Sequence, residues 1–84
     1  MNNIDIYKGA FIEALEVDEG ELSTLKYQSV ANWDSVGHMG LIAALEQGFD
    51  IMMDMDDIIN FSSFEEGINI LKKYEIIIDI EVLN

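Results

Sequence analysis

Ile4, Tyr7, Phe11 and Leu15 recur at spacings of three and four, with Ile12 beside them. That period is one face of an amphipathic helix, predicted over about residues 4–16 and weakened only slightly by Gly9. From Val17 to Asp34 the rhythm is lost: Leu22, Leu25, Val30 and Trp33 are scattered among Gly20, Ser23, Ser29 and Asn32. This segment reads as a long ordered loop whose apolar residues lie back on the core. A second helix is predicted from Asp34-Ser35 to about Gly48, stopped by that glycine and by the break after Phe49. On a helical wheel, Leu41, Ile42, Leu45 and Phe49 form its core face with His38 at the N-terminal end. Val36, Met39 and Ala43 form a milder apolar stripe, and Gly37, Gly40, Ala44, Gln47 and Gly48 are expected to face outward.

The stretch MDMDDIINF predicts a short helix over Met55 to Asn60. SSFEEGINILKKY then opens with two overlapping capping patterns, Ser62-x-x-Glu65 and Ser63-x-x-Glu66. A fourth helix from about Phe64 to Tyr74 should bury Phe64, Ile68 and Leu71, with Lys72 and Lys73 near its negative end. The fold class is therefore all-α, a small four-helix bundle with a long first loop and a short third helix. The last ten residues, EIIIDIEVLN, change period: Ile76, Ile78, Ile80 and Val82 alternate with Asp79 and Glu81 in a strand pattern. A helical domain over residues 1–75 offers this 76–84 tail no sheet edge. The tail is expected to lie extended across the bundle in preference to pairing with another chain, because a small domain needs the buried area.

Composition narrows the function. A chain of 84 residues is one small domain, too short for a core plus a separate catalytic domain. Four lysines, no arginine and 17 acidic residues give a formal charge of −13, which repels nucleic acid and anionic bilayers and selects partners with basic patches. Half the residues are hydrophobic, enough to offset chain entropy. There is no cysteine, so disulfides and thiolate metal sites are unavailable. The N-terminal MNNIDIYKG lacks the basic-then-apolar pattern of a leader, and no apolar run approaches the roughly 18 residues of a membrane span. A soluble, cytoplasmic monomer without membrane insertion is expected.

Asp34, Ser35 and His38 look superficially like parts of a nucleophilic triad. Three residues within one helical turn cannot easily aim at one another in the required order, and no G-x-S-x-G elbow is present. The acidic run Asp50, Asp54, Asp56, Asp57 invites a calcium-loop reading, but counting from Asp54 puts Ile59 where the EF-hand turn needs glycine. A solvated acidic face is the better reading. No enzymatic activity of its own is expected.

The string WDSVGHMGLIAALEQGFDI, the short acidic helix after it and SSFEEGINIL together resemble the acyl carrier protein family over roughly residues 4–74. Asp34-Ser35-Val36 fills the family's Asp-Ser-aliphatic signature at the head of helix II. The long first loop ending in Trp33 and the LE-x-x-F-x-I run at Leu45 to Ile51 add to the match. The resemblance implies a bundle of the acyl carrier protein type in which Ser35 takes a covalent 4′-phosphopantetheine arm, added in trans from coenzyme A by a phosphopantetheinyl transferase. It further implies that Asp34 assists that modification and that Val36 and Met39 meet partners; because Asp54, Asp56 and Asp57 keep the charge that the outer face of helix II has lost, docking is expected through the Val36, Met39 and Ala43 stripe together with the acidic third helix. Those partners would be an acyl- or aminoacyl-loading ligase and downstream biosynthetic enzymes. The chain departs from the family on the outer face of helix II, where Gly37, Gly40, Gln47 and Gly48 replace acidic residues and only Glu46 remains, and at His38, where a small polar residue is usual. An unmodified acidic adaptor that binds a partner helix through the same stripe is the alternative.

Overall fold

The structure, a computed structural model, describes residues 2–79, and all regular elements among them are helical. Helix α1 (Asn3–Leu15) starts where the Asn2 side chain accepts the Asp5 N–H at 3.2 Å and stops at Glu16, whose φ of 55° places it in the left-handed region. Its buried face is Ile4, Tyr7, Ala10, Phe11 and Leu15, the predicted stripe with Ala10 added. Ile12, expected beside that stripe, lies at its exposed margin.

The loop that follows contains a 3-10 helix, Glu19–Thr24, which periodicity does not reveal. Glu21 accepts the Asp18 N–H at 3.1 Å and so closes the turn, while Val17, Leu22 and Leu25 enter the core. Further on, the Leu25 carbonyl accepts the Phe64 N–H at 3.0 Å and the Ser62 carbonyl accepts the Tyr27 N–H at 2.8 Å. These bonds stitch the loop to the start of the last helix.

Helix α2 (Ser35–Phe49) lies along α1 and buries Leu41, Ile42 and Leu45. One expectation is corrected here. Gly37 and Ala44 do not face outward: a Cβ on Gly37 would collide with the Asn32 carbonyl and Ala44 packs against the core, while Gly48 is exposed as expected although a Cβ there would stand 2.8 Å from Ile6 Cγ2. Small residues here let the loop and α1 come close, whereas Gly40 and Gln47 do face solvent.

Helix α3 (Met55–Asn60) has the predicted bounds. Helix α4 (Phe64–Leu71) is shorter than expected, because Lys72–Tyr74 tighten into a 3-10 turn that ends at Glu75 with φ 65°. Of the two candidate caps, Ser63 accepts the Glu66 N–H at 2.9 Å, and Ser62 serves the loop instead. The core is centred on aromatic rings. Phe11 lies 5.0 Å from Tyr7, 5.0 Å from Phe64, 5.6 Å from Trp33 and 6.1 Å from Phe61, and the Tyr7 hydroxyl donates to the Phe64 carbonyl.

Residues 76–79 form no helix and reach this core with alternate side chains. Ile76 and Ile78 are buried, Ile77 is 62% exposed, and the Asn3 side chain donates to the Ile77 carbonyl at 3.1 Å. The alternation read from the sequence is matched by alternating burial over residues 76–79; Ile80 and Val82 fall outside the described residues. None of the helices is long and apolar enough to cross a membrane, among the described residues.

Candidate functional site

The head of α2 carries the serine singled out by the sequence. Asp34 adopts an extended conformation and caps the helix, its Oδ1 accepting the Gly37 N–H at 2.8 Å and its carbonyl the His38 N–H at 2.8 Å. Capping therefore falls to Asp34. Ser35, the first helical residue, is exposed, and no described residue bonds its hydroxyl.

His38, one turn on, has both ring nitrogens occupied. The Trp33 indole N–H donates to Nδ1 at 3.0 Å, and Nε2 lies 2.8 Å from the Ile58 carbonyl. An indole N–H can only donate, so Nδ1 is the acceptor and the proton sits on Nε2, where it is given to Ile58. Neither nitrogen is left to serve Ser35 as a base, and Asp34 is spent on its cap, so the three residues do not form a nucleophilic relay.

Between α2 and α3, beside Ser35, lies an open and largely apolar groove of about 390 Å³. Exposed Met39, Met55 and Ile59 form its rim, half-buried His38 and buried Phe61 its inner wall, and Tyr27 also lines it. Val36 is 79% exposed and Met39 57%, and Ala43 is exposed beyond them, so the predicted stripe lies on the surface and runs up to the groove. Clusters of exposed apolar side chains on a small domain mark contact surfaces, and methionines adapt such surfaces to more than one shape.

The acidic third helix divides. Asp54 and Asp56 are exposed, but Asp57 is buried at 5% exposure, where it receives the Lys73 ammonium at 2.8 Å and the Tyr74 hydroxyl at 2.6 Å. Tyr74 in turn accepts the Asp54 N–H at 2.9 Å. The Lys73 and Tyr74 hydrogen bonds hold the Asp57 carboxyl below the usual carboxylate range, and the same contact raises Lys73. Burial, reinforced by Asp57, raises the Tyr74 phenol. Asp57 is thus an internal tie between α3 and the end of α4 and offers a partner no free charge. Among the described residues no group of three or more His, Asp or Glu side chains is placed to hold a metal ion.

Of the residues singled out by sequence, Asp34, Ser35, Val36 and Met39 come together at one end of α2, with Ala43 further along the same face. Tyr27, Ile59 and Phe61 were missed, as was the Lys73–Tyr74 tie, since each reaches the site through tertiary packing and carries no local signature. In comparisons with known proteins, the chain matches no family profile, no curated protein and no solved structure.

Proposed function

We propose that the chain is a discrete carrier protein of the acyl carrier type, bearing an acyl or aminoacyl group as a thioester on a 4′-phosphopantetheine arm at Ser35. The observation that carries this reading is the division of labour at the head of α2: Asp34 takes the cap, and the neighbouring Ser35 is left exposed, its hydroxyl bonded by no described residue, at the edge of an apolar groove. A serine committed to capping would have supported a structural role only. The arm supplies a thiol, which the chain itself lacks. The residues present suit such a group because an exposed hydroxyl on a rigid helix end can enter another enzyme's active site, and attachment there requires no base from the carrier.

The remaining residues take roles around that point. Val36, Met39 and Ala43 provide an apolar contact for the transferase, the loading ligase and downstream enzymes, while Asp54 and Asp56 supply the charge that basic partners meet. Asp57 acts from inside by holding α3 in place. The adaptor alternative uses the same exposed stripe without a prosthetic group. Intact mass after co-expression with a broad-specificity phosphopantetheinyl transferase separates the two: a carrier gains the arm, and an unchanged mass excludes it.

A further inference from the structure

The rim and the inner wall of the groove differ in kind. Met39, Met55 and Ile59 are exposed and can give way, whereas the wall is His38 and Phe61, with Trp33 behind. His38 is pinned by the Trp33 indole at 3.0 Å and the Ile58 carbonyl at 2.8 Å, lies within 17° of parallel to Trp33, and meets Phe61 with ring centroids 6.2 Å apart. Trp33 and Phe61 are almost wholly buried, and both touch the equally buried Phe11. A chain passing between α2 and α3 would have to part His38 from Ile58, strand a buried indole N–H and displace close-packed rings. Polarity points the same way. Among the described residues no charged side chain lines the groove, so a carboxylate lying against its apolar walls would find no cation to pair with.

We infer that the Trp33–His38–Ile58 relay is a plug that closes the interior to a group attached at Ser35, so that the groove shelters a short, uncharged acyl group on the outside of the aromatic core. The inference rests on Ser35 being an attachment point and names the class of cargo. His38 becomes a specificity-determining residue that takes no part in the chemistry.

The test needs no transferase. The chain has no cysteine, so Ser35→Cys introduces a single thiol, and alkyl methanethiosulfonates attach ethyl, hexyl, dodecyl or carboxyethyl groups to it as disulfides with loss of methanesulfinate. In methyl and indole NMR spectra, the hexyl adduct should shift the Met39 and Met55 methyl signals, the dodecyl adduct should shift them no further, and the carboxyethyl adduct should leave them near their positions in the unmodified variant. The Trp33 indole N–H should stay in place throughout. In a His38→Ala background the dodecyl adduct should move that indole signal relative to the ethyl adduct, and no movement there overturns the assignment to His38. A shift of the Trp33 signal by dodecyl with His38 present, or Met39 and Met55 methyls unmoved by hexyl, overturns the plug; that series stands without any core variant. Because the adducts form chemically, expected shifts alongside a Ser35 that no transferase modifies would overturn the attachment reading alone.

Discussion

Helices α2 and α3 face each other across the groove but are fixed by different forces. Along α2, Leu41, Ile42 and Leu45 are fully buried, and Gly37 and Gly48 bring the loop and α1 close. On α3, Met55 and Ile59 are exposed and Ile58 is only half-buried; its position depends on polar ties from Asp57 to Lys73 and Tyr74, from the Asp54 N–H to Tyr74, and from the Ile58 carbonyl to His38. The molecule therefore presents Ser35 from a helix held mainly by apolar packing and places the opposite wall of the groove on a helix held largely by side-chain hydrogen bonds.

The largest effect should come from the side of α2 and α1. Phe11→Ala removes the ring at the centre of the aromatic cluster and should cost about 3–5 kcal/mol, a large share of the stability of so small a domain, read as a lowered midpoint in denaturant unfolding. Truncation after Glu75 should cost about 1–3 kcal/mol through loss of buried Ile76 and Ile78 and leave solution mass consistent with a monomer. Unchanged stability would show that the segment after Glu75 contributes no packing.

Those two regions also differ in how far sequence reveals them. The stripe of α1 and the alternation at Ile76 and Ile78 follow from hydrophobic period alone. The packing side of Gly37 does not, because glycine carries no hydropathic sign and only the approach of Asn32 assigns it. The 3-10 helices Glu19–Thr24 and Lys72–Tyr74 are too short to repeat a pattern. Asp57 looks like one more solvated acid because its partners lie 16 and 17 residues away and meet it only in the fold. Ser35 was visible from its neighbours in sequence, but the groove beside it was not, since Tyr27 and Phe61 arrive from separate segments.

On the α3 side, Asp57→Asn should leave the core folded while amide hydrogen exchange rises selectively over residues 55–60; equal protection in both proteins would contradict the tie. Its pH dependence follows from the lowered carboxyl: the ionised Asp57 contributes stability above the ordinary carboxylate value, about 3.9, and loses it as pH falls through the lower folded-state value. The variant should therefore show a shallower acid limb in its thermal midpoint. The smallest effect belongs to Asp56→Asn, where the exposed charge should change stability by less than about 0.5 kcal/mol. It should slow loading by a partner ligase and reduce the salt dependence of the rate. An unchanged rate and salt slope would remove Asp56 from the docking surface.

The central claim is that the free hydroxyl at the head of α2 is the one modified, and Ser35→Ala tests it most directly. With Asp34 still capping the helix and Ser62 and Ser63 intact, this variant should unfold at the same midpoint as the parent chain. After treatment with a phosphopantetheinyl transferase and coenzyme A, its intact mass should remain unchanged while the parent gains the arm. A Ser35→Ala protein that folds normally and still acquires the phosphopantetheine mass would contradict the account.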